Sequence, residues 1–183
     1  MVYVLLAEGF EEVEALTPVD LLRRAGIETK LVGVTGETVC GARGISVVTD
    51  LGMDEIDLSS ADMLVLPGGM PGTTNLYADN RVTDAVRTMA DAEKYVAAIC
   101  AAPSVILGGM GLLKGRRATC YPGMEDGMEG AEAVPATCVT DGKIITACGV
   151  GGALDFACAL ITALAGREKA DEIASSVVYH AGI

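Results

Sequence analysis

Tyr95-Val-Ala-Ala-Ile-Cys-Ala-Ala-Pro-Ser-Val-Ile-Leu107 is the stretch on which the reading of this chain turns. Residues 95–99 form a short apolar run, as a strand buried on both faces requires. Pro103 then suits the first turn of a helix, where its missing N–H and fixed φ cost nothing. Cys100 falls on the sharp turn between the two. Such a turn forces a side chain outward, and the free N–H groups of the following helix favour a thiolate. The geometry is that of a nucleophile elbow, with Ala101 and Ala102 near the place where the hydrolase serine elbow carries glycine. The competing reading is a structural cysteine of an apolar run, the usual fate of this residue type.

The same alternation of strand and helix continues outward from this point. Val2-Tyr-Val-Leu-Leu-Ala7 reads as a second buried strand and is followed by helical character over 11–25. Glu11, Glu12 and Glu14 at the helix start, Arg23 and Arg24 near its end and Gly26 beyond it all complement the helix dipole and its stop signal. Pro18 conflicts with an unbroken helix: either the helix kinks there, or Thr17 caps a second piece. Strands are expected at 27–34 and 63–66, and a short hairpin over 38–48. The 63–66 strand runs into Pro67-Gly-Gly-Met-Pro-Gly72, a loop of turn residues. Helices follow over 80–91, 152–165 and 168–178, and a hairpin over 138–147 is closed by Asp141-Gly142. This order predicts an α/β protein with a mostly parallel sheet covered on both faces, and ligands at the C-terminal strand ends. No linker, repeat or low-complexity segment divides residues 1–183, so a single domain is expected.

Bulk chemistry narrows the partners. The formal net charge of −12 repels phosphate backbones and anionic lipid, so neither nucleic acid nor a membrane surface is an expected partner. The N-terminal apolar run lacks a basic flank and is too short to span a bilayer, and the six cysteines form no CxxC pair. A cytoplasmic protein with reduced thiols is the expectation. Cys40, Cys138, Cys148 and Cys158 read as buried structural residues. The one histidine, His180, stands three residues from the C-terminus, so a Ser-His-Asp triad or a His-rich metal site is not expected unless His180 folds back. Neither metal nor cofactor is predicted.

Other candidate groups are weaker on sequence alone. Gly68 and Gly69 follow a buried strand and could turn a backbone N–H toward the Cys100 cleft, beside the N–H of Ala101. Most of the acids at 11, 12 and 14 are expected to be solvated dipole partners. Spacing does not choose which of Glu11 and Glu14 points inward. Gly149-Val-Gly-Gly152 before a helix has the look of a phosphate loop but reads better as a structural turn.

Four segments together, Ala7-Glu-Gly-Phe-Glu-Glu-Val-Glu14, Val65-Leu-Pro-Gly-Gly69, Ala97-Ala-Ile-Cys-Ala-Ala-Pro103 and Gly166-Arg-Glu-Lys-Ala170, resemble the ThiJ/PfpI superfamily, in its DJ-1 and YajL branch. The resemblance spans essentially the whole chain in the same order. It implies a flavodoxin-like three-layer sandwich, a homodimer and a reactive cysteine at Cys100. It also implies that the buried, protonated acid beside that cysteine is Glu14, and that the amides facing the sulfur are those of Gly69 and Ala101. Arg43 matches an arginine near the site and dimer interface; Arg24 matches one that approaches from a partner subunit. Where some members carry histidine beside the cysteine, this chain has Tyr121 in Thr119-Cys-Tyr-Pro122, which leaves the proton work to Glu14 or water.

The activity this implies is cofactor-free, cysteine-dependent chemistry on reactive dicarbonyls such as methylglyoxal or on their glycated adducts, of glyoxalase or deglycase type. A second expectation, of a different class, is an oxidation-sensing chaperone whose Cys100 becomes a sulfinate. A thiazole-biosynthesis role follows only from the name ThiJ.

Overall fold

The computed structural model describes residues 1–179. Five strands form the centre of a parallel sheet: β1 (Val2–Leu6), β2 (Thr29–Gly33), β6 (Met63–Leu66), β7 (Tyr95–Ile99) and β11 (Ile144–Ala147). Between β2 and β6 lie the short strands β3 (Thr38–Cys40), β4 (Ser46–Val48) and β5 (Leu51–Gly52). The seven-stranded sheet runs β10-β11-β7-β6-β1-β2-β5, where β10 (Cys138–Asp141) is the one antiparallel member. Taken in chain order, its five central strands are arranged 2-1-3-4-5, the flavodoxin-like arrangement. β3 and β4 pair as a separate antiparallel hairpin, as expected, while the pair β8 (Arg117–Ala118) and β9 (Glu132–Ala133) and the edge strand β5 were not foreseen.

Period-two alternation divides the core. Val2, Val4 and Leu6 of β1 face one side with α1 (Glu12–Arg24) and α4 (Ala153–Ala165), whereas Tyr3 and Leu5 face α3 (Asn80–Asp91) on the other. Because β1, β6 and β7 are covered on both faces, their residues are apolar without a break. α2 (Gly72–Ala78) starts directly from the Pro67–Gly72 loop, and α5 (Arg167–Ser176) follows Gly166, whose φ of 88° ends α4. Gly is the residue for which that backbone is unstrained.

Two local expectations are corrected. α1 runs as one helix through Pro18, so Thr17 does not cap a second piece; the flanking Val19, Leu21 and Leu22 hold the helix to the core despite the hydrogen bond the ring removes. The segment after Cys100 is not a regular helix but a six-residue π-type run, Pro103–Gly108. Chain order reverses direction across the sheet between β1 and β6, and in open α/β sheets the crevice at such a switch, beyond the carboxyl strand ends, is where ligands bind. No helix among the described residues is long and apolar enough to cross a membrane.

Candidate functional site

Cys100 has φ 65°, a left-handed conformation rare for a residue with a side chain. Both of its backbone groups are tied down: its N–H donates to Ala147 O (2.9 Å) and its carbonyl accepts from Tyr121 N (2.8 Å). The sheet ladder therefore holds the residue while the chain reverses, and the thiol is thrown out of the strand toward α1. A Cβ at Gly68 would collide with both the Cys100 Cβ and the Glu14 carboxylate, so only glycine lets β6 and β7 end this close to the acid.

Glu14 projects from the first turns of α1 into the gap and is 0% exposed. Gly68 N donates to its Oε2 at 3.0 Å. Its Oε1 has no hydrogen-bond partner among the described residues. A Cβ at Gly149 would stand 3.8 Å from that oxygen and 3.9 Å from the Cys100 sulfur, so both atoms border the same small space and the carboxyl and thiol are electrostatically coupled across it. The backbone amides of Gly69 and Ala101 are near enough to the sulfur to favour its charged form, and Gly69 has φ 89°.

Electrostatics couple the two groups. Burial pushes the Glu14 carboxyl up to about 7, against the hydrogen bonds from Cys100 and Gly68 that favour its charged form, with nearby Glu11 adding to the rise. Burial also pushes the Cys100 thiol up to about 12; the Glu14 charge and hydrogen bond reinforce this, while the Gly69 and Ala101 amides oppose it. Across the interval between these values the pair holds a single proton, and thiolate with carboxylic acid or thiol with carboxylate are two placements of it. The expected low thiol pKa is thus corrected: a short π-type run offers little helix dipole, and desolvation outweighs it.

The cavity above the pair has a volume of about 690 Å³; Glu11, Arg43, Gly69, Met70, Ala101 and Tyr121 contribute to its walls. A larger hollow of about 940 Å³ lies against α4 and α5, but neither Cys100 nor Glu14 reaches it, so the chemistry belongs to the smaller space. Tyr121 is 52% exposed and forms an outer wall. Arg43 pairs loosely with Glu11 (3.6 Å) at the rim. Arg24 does not reach the cavity in its own chain; it pairs with Asp20 one turn earlier on α1 (2.7 Å).

Sequence reasoning misplaced the other acids. Glu11, Glu12 and Glu14 are all buried rather than solvated. Glu12 Oε1 accepts from Arg43 N (2.7 Å) and Ile45 N (3.4 Å), and so clamps the β3–β4 hairpin to α1. Those partners arrive from far along the chain, which no local pattern reveals. Cys40, Cys138, Cys148 and Cys158 are half-buried, and Cys120 is the fully buried thiol. Cys148 and Gly149 line the Cys100 cavity and were not among the expected site residues; the glycine run at 149–152 was the available signal. No cluster of three metal-ligating side chains occurs among the described residues, and His180 lies outside them.

Known proteins resemble this chain along nearly its whole length. The chain is 35% identical over 178 residues to protein dj-1beta of Drosophila melanogaster, covering 96% of this chain and 95% of that one. It is 35% identical over 147 residues to the deglycase PH1704 of Pyrococcus horikoshii, covering 79% and 87%. It spans less than half the length of two Arabidopsis thaliana relatives, the protein DJ-1 homologs B and A, at 41% and 45%. Among solved structures, the oxidised DJ-1 of Toxoplasma gondii superposes with a TM-score of 0.93 at 35% identity, covering 97% of each chain. A cysteine-to-alanine mutant of the DJ-1 superfamily protein STM1931 of Salmonella typhimurium does so with 0.93 at 35%, covering 98% of each. The DJ-1/PfpI family model matches residues 1–163, and the chain belongs to that family.

Proposed function

We propose that this protein is a cofactor-free, cysteine-dependent enzyme of reactive dicarbonyl removal, of the glyoxalase or deglycase type. The observation that carries the reading is a fully buried Glu14 carboxyl, held by Gly68 N, lining one cavity with Cys100 at its strained elbow, an acid and a thiol placed to share one proton. Moving that proton to Glu14 frees a thiolate, the nucleophile, and leaves beside it a neutral acid poised to donate. The thiolate adds to the aldehyde carbon of methylglyoxal, and the aldehyde oxygen takes up the negative charge beneath the two amides. Glu14 protonates this oxygen. Its carboxylate then removes the hydrogen from the former aldehyde carbon and returns a proton to the neighbouring carbon, while the proton on the former aldehyde oxygen passes to the ketone oxygen, which leaves a lactoyl thioester at Cys100. Water cleaves the thioester to lactate and restores the thiol, so that methylglyoxal and one water give lactate with no net oxidation. That a relative of 35% identity carries the name deglycase supports extending the same attack to early adducts of dicarbonyls with amines and thiols.

An oxidation-sensing role uses the same residues: two equivalents of peroxide would carry Cys100 to the sulfinate with release of water, and protonated Glu14 would donate to the new oxygen. The likeness to an oxidised DJ-1 structure favours keeping this as the second reading. Within the enzyme reading, residues 1–183 act as one domain, and the functional unit is a homodimer. Exposed Val13 on α1 and exposed Ile45 and Val48 of the β3–β4 hairpin supply an apolar face for it, and Arg24 would enter the partner's site across that face. Purified protein incubated with methylglyoxal and followed for lactate is the test. Turnover by wild type, abolished in Cys100→Ala, is expected. Full turnover in Cys100→Ala sinks the proposal; absence of wild-type turnover, with oxidised protein suppressing aggregation of a client, transfers the assignment to the sensor.

A further inference from the structure

Of the five cysteines other than Cys100, one lines the same cavity. Cys148 follows β11 immediately, and β11 is the parallel neighbour of β7, with Ala147 opposite Ile99 in register. Cys148 and Cys100 are the next residues beyond that pairing; Cys100 N donates to Ala147 O, the last bond between the two strands, while Cys100 O accepts from Tyr121 N and Cys148 N donates to Thr137 O. Adjacent strands lie about 4.8 Å apart. A disulfide needs Cα atoms about 4.4–6.8 Å apart. The backbone of this register therefore suits a bridge.

The other thiols are placed differently. Cys120 is 4% exposed and its Sγ donates to Tyr121 O at 3.4 Å. Cys138 and Cys158 line the hollow beside α4 and α5. Cys40 lines neither space. Both Cys100 and Cys148 are half-buried free thiols, with access to the cavity. The Cys148 sulfur packs toward Gly152, where a Cβ would come within 3.3 Å of it, on the side of Cys138 and of a second hollow shared with Cys120 and Thr137, and no hydrogen bond joins it to Cys100 among the described residues. Closing a bridge requires Cys148 to rotate and the 149–152 turn to yield. That turn is suited to yielding: Gly149 has φ 150° and nothing stands within 4 Å of a Cβ at Gly151.

We infer that Cys148 is a resolving thiol for Cys100, which converts a singly oxidised site into a reversible intramolecular disulfide. The inference rests on the reading of Cys100 as the reactive thiol. Peroxide takes the Cys100 sulfur to sulfenic acid, a two-electron oxidation in which the O–O bond breaks and water leaves. The Cys148 sulfur then attacks the sulfenic sulfur, the S–O bond breaks, and the departing hydroxide takes up a proton to leave as water. The thiol proton of Cys148 balances the step. A low-potential dithiol reverses the bond by exchange. A second peroxide meets a disulfide instead of a sulfenate, so the sulfinate is bypassed.

The test is peptide mass spectrometry after graded hydrogen peroxide, with alkylation of free thiols by iodoacetamide. Wild type, Cys148→Ser, Cys148→Ala and Cys120→Ser are compared in parallel. Wild type and Cys120→Ser are expected to give a linked Cys100–Cys148 peptide pair, two hydrogens lighter than the separate peptides, which dithiothreitol removes. Both Cys148 variants should lose this species and accumulate Cys100 sulfinate at doses where wild type holds little. Sulfinate at Cys100 appearing equally in wild type and both Cys148 variants, with no linked pair, overturns the inference and leaves Cys100 reactive. A Cys100 that is neither alkylated nor oxidised overturns the inference together with the reading beneath it.

Discussion

Glu12 and Glu14 stand two residues apart on one helix, both buried, yet they serve different regions of the molecule. Glu12 faces the β3–β4 hairpin, and its Oε1 is occupied by two backbone N–H groups from residues 43 and 45. Glu14 faces the sheet edge, takes one N–H from Gly68 and leaves its other oxygen without a hydrogen-bond partner in the space it shares with Cys100. Burial alone does not make a carboxyl a proton donor. Amide donors from the hairpin make Glu12 a clamp, whereas a titratable neighbour leaves Glu14 a proton to exchange.

This contrast can be broken experimentally. The largest effect is expected at Glu14. In the unfolded chain its carboxyl titrates near 4.5 and in the folded protein near 7. The folded state thus keeps its proton more tightly. The resulting stability is fully present below pH 4.5, drains away as pH rises through the interval, and is gone above 7. The shift corresponds to about 3 kcal/mol. Glu14→Gln should remove this slope, so that urea unfolding at pH 5 and pH 8 shows wild type losing stability relative to the variant at the higher pH. An unchanged difference between the two pH values would mean that Glu14 is ionised throughout.

The same Glu14→Gln substitution keeps the shape and the Gly68 hydrogen bond but removes the transferable proton. Methylglyoxal turnover should fall roughly 10²-fold, as deletions of a general acid or base do. Next in size is Glu12→Ala, which strands the amides of Arg43 and Ile45. A loss of about 2 kcal/mol in stability is expected from the buried donors left unmet. Hydrogen exchange should locate the damage at the hairpin, with kcat changed far less than in Glu14→Gln. If Glu12→Ala matches Glu14→Gln in kcat, the division between clamp and proton donor fails. Tyr121→Phe should have the smallest effect, because an exposed outer wall contributes area more than proton transfer; a loss as large as that of Glu14→Gln would assign the tyrosine hydroxyl a chemical role.

Local chemistry made the fold legible. Uninterrupted apolar runs at 2–7, 63–66 and 95–99 announced strands covered on both faces, and Gly26, Gly166 and Asp141-Gly142 marked where elements stop or turn. The Cys100 elbow was legible for the same reason: strand, thiol and Pro103 are contiguous, and a sharp reversal is a local event. Short elements such as β5 and α2 were missed because two to seven residues carry too little periodicity to rise above a loop.

The sequence by itself determined the strand and helix order, the elbow and, through four matching segments, the family. Spacing left Glu11 and Glu14 open and only the family resemblance pointed to Glu14; tertiary structure alone decided that Glu12 is a clamp and that Cys148 shares the cavity. It also reversed the sign expected for the thiol pKa. Each of these depends on how far a group is taken from water and on partners brought from tens of residues away. Strand order and burial set those quantities, and neighbours in the chain do not.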